Sequence, residues 1–215
     1  LAVIAIIGVL AALIGAVAGN ARMEANQAKC LSNQRQIGIA LLLYSNDNHG
    51  WLPPTTHTTG RRRAEESWIY EIEPYLASVD KVRVCPADPP ARQEAILRSK
   101  ATSYVLNDLV FDDPNFNRLI ALPQPSETIL LFILSENRAP STTRDHIHGA
   151  EWTRWPNALN DIEPDRHRRG DRAPDRLKGS ANYLYADGSV RNLTARQFKS
   201  LFDQGINPAR PAPKS

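Results

Sequence analysis

Three of the five histidines, both cysteines and a few aspartates carry most of the chemistry this 215-residue chain can offer. Asp145-His146-Ile147-His148 sets two imidazoles two residues apart. On a strand they point to one face, as two zinc ligands would, with His167 available as a third. The competing reading is an exposed polar loop, because no His-Glu-x-x-His or similar motif accompanies them. Cys30 and Cys85 are the only cysteines. They permit either one disulfide tying the N-terminal helix to the rest of the chain or two buried thiols, and sequence separation does not choose between these. Asp187, with Asp171 or Asp175, offers oxygens to calcium, but that ion takes six to eight of them and no calcium-loop spacing is present. The bland role of Asp187 is to make a turn. Ser126, Ser135 and Ser141 lack a Gly-x-Ser-x-Gly setting, and there is no phosphate loop or dinucleotide fingerprint. Trp152 and Trp155, in a charged stretch, read either as core or rim residues or as a platform for a glycan or partner. No catalytic residue and no bound cofactor is predicted.

Charge narrows the classes further. The chain has 26 basic and 23 acidic residues, net +3, and a pI near 9.0. A nucleic-acid binder gathers such an excess into a patch. Here the most basic-looking stretch, Asp161 to Lys178, holds six Arg/Lys against five Asp/Glu. It is predicted to be a solvated loop, and nucleic acid is not an expected partner.

The elements that position these residues begin with Leu1 to Ala21, which contain no charged side chain. That is long enough for one bilayer-spanning helix, about 20 apolar residues. The stretch lacks both a basic signal region and an Ala-x-Ala cleavage site, so it reads as a retained anchor. Residues 22–48 continue as an amphipathic helix, for a rod of about 70 Å. Leu31, Gln34, Ile37, Leu41 and Tyr44 form its packing stripe, widened by Ile39 and Leu42. Asn46 to Gly50, then Pro53-Pro54, stop it. Residues 49–205 form a head. A short helix is expected over Glu65–Leu76, a brief strand over Lys81–Val84, a break at Asp88-Pro89-Pro90, and strands over Thr102–Leu106 and Thr128–Leu134. Arg138–Asp175 reads as a long loop with a short hairpin. Ala181–Tyr185, Asp187-Gly188 and Ser189–Leu193 read as strand, type I′ turn, strand. Thr194 caps a helix over Ala195–Gln204, and residues 206–215 are expected to be a disordered tail.

Several of these stretches together resemble the bacterial type IV pilin-like proteins, including the pseudopilins of type II secretion. Leu1–Leu13, LAVIAIIGVLAAL, is similar to the N-terminal helix of prepilins. Further similarity runs through Cys30-Leu31-Ser32-Asn33-Gln34-Arg35-Gln36-Ile37-Gly38, Trp68 with Pro74-Tyr75-Leu76, and Val84-Cys85-Pro86-Ala87-Asp88. It closes with His167, Asn182 and Ala186-Asp187-Gly188-Ser189-Val190, so about half the chain is covered. In the family a short basic leader ends in Gly, a peptidase cuts after it, and the mature chain opens with a Phe-Thr-Leu-Ile-Glu-like run. Leu1 would stand just after that glutamate. One departure is that the family often has a proline where this chain has Gly15-Ala16.

The resemblance implies an α+β fold: a long N-terminal helix, membrane-spanning in its first half, packed on a small antiparallel sheet. It implies a structural subunit and not an enzyme. Gly8, Ala11, Ala12, Gly15 and Gly19 would let helices pack closely in a filament core, Gly15 and Gly19 at Gly-x-x-x-Gly spacing. Its partners would be other pilin subunits, a prepilin peptidase and an inner-membrane assembly platform. The chain would cross the bacterial inner membrane once, with its head in the periplasm or on the cell surface. Some pseudopilins bind calcium near the C-terminus, which is the family's bearing on Asp171, Asp175 and Asp187. Two alternatives stand beside this reading. One is a tip subunit binding a ligand through Trp152 and Trp155. The other is a membrane-tethered hydrolase using a metal on His146, His148 and His167.

Overall fold

A computed structural model describes residues 2–60, 66–168 and 173–213, with side chains from residue 18 onward. The amphipathic stretch and the apolar run before it form one helix, α1 (Ala2–Asp47). No helix among the described residues is long and apolar enough to cross a membrane. Of the expected span, residues 1–21, only the helical backbone is described before residue 18, and the close packing expected at Gly8, Ala11, Ala12 and Gly15 lies outside the described side chains. The helix stops where expected. His49 and Gly50 take positive φ (56° and 88°), and the Gly50 N–H reaches back to the Ser45 carbonyl at 2.7 Å.

The buried face of α1 carries Cys30, Asn33, Gln34, Ile37 and Leu41, spaced at three and four residues as a helix packed on one side requires. Ile39 and Leu42 do not widen that stripe. With Leu43 they lie on the outer face, 57, 42 and 46% exposed.

The sheet is an antiparallel meander of four strands: β1 (Tyr104–Leu106), β2 (Ile129–Ile133), β3 (Ser180–Tyr185) and β4 (Val190–Thr194). Strand β3 is buried along its whole length because both its faces are covered. Toward α1, the Gln34 amide donates to the Asn182 carbonyl at 3.0 Å and the Asn182 amide donates to the Gln27 carbonyl at 3.0 Å. Gly38 comes so close that a Cβ would stand 2.8 Å from a Leu184 methyl. On the opposite face, α2 (Ala195–Asp203) stacks Phe198 on Tyr183, ring centroids 4.7 Å apart. Phe132 meets Tyr183 and Trp152 edge-on from the same side.

The hairpin forms at Asp187-Gly188, but not through a type I′ turn. Gly188 alone takes positive φ (82°). The Gly188 N–H bonds the Tyr185 carbonyl at 3.0 Å, and the Tyr185 N–H bonds the Ser189 carbonyl at 2.9 Å. This is a three-residue loop, a type I turn followed by a left-handed glycine. Thr194 and Gln197 make a full capping box on α2.

Other expectations are corrected. Residues 79–82 form a helical turn, not a strand, with Val79 and Val82 three apart and both buried. The helix expected over Glu65–Leu76 is one turn, Trp68–Glu71, followed by a 3₁₀ turn at Glu73–Tyr75; Pro74 has no N–H to continue it. The prolines at 89 and 90 break one segment and start another, Pro90–Arg98. Within Arg138–Asp175 there is no hairpin among the described residues but a helix, Trp155–Asp161. The tail expected to be disordered instead lies along the domain. Ala209 is fully buried. Its carbonyl accepts from the Asn107 amide at 2.8 Å, the Asn207 amide donates to the Gly149 carbonyl at 2.8 Å, and the Ala212 N–H reaches Thr128 Oγ1 at 3.2 Å.

Candidate functional site

Three distant residues meet under α1. Cys30 Sγ, Cys85 Sγ and a ring nitrogen of His167 lie within 4.8 Å of one another, and all three residues are buried. Among the described residues, no other group of three His, Cys, Asp or Glu side chains is so placed. Each arrives by a different local device. Cys30 sits on the buried face of α1, one turn before Asn33. The Asn33 amide donates to the Val84 carbonyl at 3.0 Å, pinning the segment that carries Cys85. The Cys85 N–H then donates to Ser103 Oγ at 2.8 Å, and that hydroxyl donates to Asp88 Oδ2 at 2.5 Å. His167 is clamped to the start of β3 by a pair of backbone hydrogen bonds with Ser180, 2.7 and 2.8 Å.

Both cysteines are free thiols in this structure, their sulfurs within 4.8 Å of each other. Burial pushes the Cys30 thiol up, but Cys85 and His167 beside it more than offset this and hold it well below the ordinary thiol range. Burial pushes Cys85 well above that range, and the Cys30 sulfur adds to the effect. The Tyr104 hydroxyl, also buried, donates to Cys30 Sγ at 3.6 Å. Two sulfurs and an imidazole at one enclosed point suit a disulfide or a shared metal ion.

Against this site lies a buried ionic network. Arg166, its side chain fully enclosed, pairs with Asp88 at 3.1 Å, with Glu136 and, at 3.8 Å, with Glu163. Arg176 joins Glu163 to Asp165. The stretch Asp161–Lys178 is thus no solvated loop: Asp161, Glu163, Asp165, Arg166, His167 and Arg176 are all buried. Alternating signs read as solvation in sequence, and nothing there separates Arg166 from the exposed Arg168.

The histidine pair has a different setting from the one expected. Asp145, His146 and Ile147 are buried. His146 Nδ1 bonds Asp145 at 2.8 Å, and His146 stacks on His57 with centroids 5.3 Å apart. Asp145 also accepts from the Thr56 hydroxyl at 2.7 Å. His148 is half exposed. The third imidazole near this pair is His57, which sequence reading did not single out. His167 belongs to the cysteine site, so the three-histidine centre expected of a hydrolase is not assembled.

Two of the three calcium candidates lie among the described residues. Asp187 accepts from the Ser189 N–H at 2.9 Å and Asp175 from the Leu177 N–H at 3.1 Å, both local turn contacts. Asp171 lies outside the described residues. Trp152 is buried, its indole N–H donating to Asp161 at 2.8 Å. Trp155 packs on Phe198 and Phe202. Trp152 is a core residue, and Trp155 is half-buried at its edge. Gly19 is exposed, with nothing within 4 Å of where its Cβ would be. His167 and Asn182 face α1, and Gly188 lies under Leu42 of the same helix, so the residues of the closing motif serve helix docking. A groove between β4, α2 and the tail is mostly apolar, and its Glu127 and Arg191 pair with each other at 3.4 Å.

No family model, curated protein or solved structure matches the chain.

Proposed function

We propose that this chain is a structural subunit of a pilus-like filament, of the type II secretion pseudopilus or type IV pilus kind, assembled through α1. What supports the reading is how α1 is shared out. One face of its second half holds the sheet, through Cys30, Gln34, Ile37 and Leu41. The opposite face leaves Ile39 and Leu43 about half exposed, four residues apart, with Leu42 beside them partly covered by the Gly188 turn, as a helix face able to meet another helix would be. The 21 residues that open the chain carry no charge. Such a surface suits lipid before assembly and neighbouring helices after it. In this reading the first half of α1 spans the inner membrane, the partners are further pilin subunits, a prepilin peptidase and an assembly platform, and the chain catalyses no reaction.

The test places a charge in the uncharged run. Cells producing the native chain are expected to yield filaments that label with antibody against the head. Ala12→Asp should abolish them while the head keeps its thermal transition. Filaments surviving that substitution, or native cells yielding none when the assembly machinery is present, would remove the reading.

A further inference from the structure

We propose that Cys30, Cys85 and His167 form a buried site for one zinc ion, held by two thiolates and a neutral imidazole. Spacing is the first support. Tetrahedral zinc, with Zn–S near 2.3 Å and Zn–N near 2.0 Å, sets its sulfur ligands about 3.8 Å apart and sulfur and nitrogen about 3.5 Å apart. The three ligand atoms here already lie within 4.8 Å of one another, so small side-chain rotations complete the geometry. The fourth corner has an oxygen nearby. The Tyr104 hydroxyl is 3.6 Å from Cys30 Sγ, close to the edge of about 3.5 Å that a sulfur and an oxygen share on tetrahedral zinc.

His167 supplies the second, independent support. It is 1% exposed, yet neither ring nitrogen has a hydrogen-bond partner. Buried polar atoms almost always find partners, and leaving one unpaired is costly. Its backbone is fixed on both sides by Ser180, so the ring is directed at the cysteines and held there. A metal ion satisfies one nitrogen outright.

Charge is the third. Two thiolates and one divalent cation sum to zero, so loading adds no net charge to the interior. Binding transfers two thiol protons to solvent and changes no oxidation state. A Cys30–Cys85 disulfide withdraws two of the three ligands, so zinc and disulfide exclude each other. The ion would staple α1 to the segment after residue 82 and to the start of β3, whatever the chain's wider role.

The experiment uses the full chain in detergent, reduced and kept from oxygen. We expect one zinc per chain after gel filtration. Both thiols should resist alkylation until a chelator is added. Cobalt(II) in place of zinc should give the intense visible bands of a tetrahedral site together with sulfur-to-metal charge transfer. Changes outside the ligand shell already cost metal affinity about 10–100-fold, so Cys85→Ser and His167→Gln should each weaken binding by about 100-fold or more. Because these variants test the fold as well, the cobalt spectrum and thiol protection of the unaltered chain decide the matter. A folded, reduced chain whose thiols alkylate equally fast with and without zinc, with cobalt showing only a weak octahedral spectrum, overturns the proposal. So does metal binding that persists at full affinity in Cys30→Ser/Cys85→Ser.

Discussion

Arg166 keeps its charge with the guanidinium fully enclosed, between Asp88, Glu136 and Glu163. Burial works against that charge, but the carboxylates around it win and hold the group above its ordinary range. Removing one member of such a network strands the others, at a cost of about 3–5 kcal/mol. Arg166→Met should therefore cost about that much in urea unfolding. Arg168→Met removes only a pair with Glu24 at 3.2 Å in which both side chains are more than half exposed, and should change stability by less than about 1 kcal/mol. The two arginines are two residues apart and identical in type. What separates them is the path of the chain after Ile162, which composition does not encode, and so the ionic network was illegible in sequence while its residues were all in view. Asp108 gives the pH counterpart. Burial raises its carboxyl, against an opposing hydrogen bond from the Gly149 N–H at 2.8 Å. A raised folded value means the folded chain holds the proton more tightly than the unfolded one. That contribution is present below the unfolded value and lost as pH rises through the folded one. Asp108→Asn keeps an acceptor for Gly149 and removes the charge. Its melting temperature should exceed the native one at about pH 7, and the gain should vanish below about pH 3.5, where the native carboxyl is neutral in both states.

At the scale of elements, what was legible followed from local rules. Thr194 announced the cap of α2, the apolar run over residues 128–134 a strand inside the sheet, and Asp187-Gly188 a hairpin. The turn type was not legible, because Asp-Gly serves two loop geometries and the choice lies with strand register. The structure makes a specific demand. Only Gly188 has positive φ (82°). Gly188→Ala should cost about 1–2 kcal/mol, the penalty for a Cβ in the left-handed region. Asp187→Gly should also destabilise, by about 0.5–1 kcal/mol of backbone entropy together with the lost acceptor for Ser189. In a type I′ turn that second substitution would be neutral or better, so chemical unfolding of the pair separates the two geometries. The tail misled for a related reason. Its prolines read as disorder, yet a chain without backbone donors can lie along a surface if its carbonyls are received. Asn107 does this, donating to Ala209 at 2.8 Å and to Ile129 at 2.7 Å while accepting from the Leu109 N–H. Asn107→Ala leaves two buried carbonyls unmet and should cost about 2–4 kcal/mol.

For the molecule as a whole, the question is how much of α1 belongs to the head. Residues 18–22 are exposed, burial begins around Met23, and the first fully buried side chain is Cys30. From there Asn33, Gln34, Ile37, Ala40 and Leu41 are buried in succession, closing one face of β3 and the segment that carries Cys85. The head's core is thus incomplete without the second half of the helix, whereas nothing described before residue 22 contributes to it. A chain beginning at Arg22 should fold cooperatively and lose less than about 1 kcal/mol, leaving its melting temperature within about 4 °C of the full chain. A chain beginning at Asn46 loses Ile37 and Leu41, each worth about 1.5–3 kcal/mol of burial. It also uncovers Leu184 and leaves the Asn182 amide without the Gln27 carbonyl. Those losses rival the whole margin of about 5–15 kcal/mol by which a domain is stable, so this chain should show no cooperative transition. Scanning calorimetry on the two truncations separates the halves. A clean transition from the shorter chain would mean the sheet holds itself together and α1 is an appendage. A failure of the longer one would mean that the uncharged residues are part of the head. The expected pair of results leaves those residues with no task in folding, and so free for contacts beyond the chain.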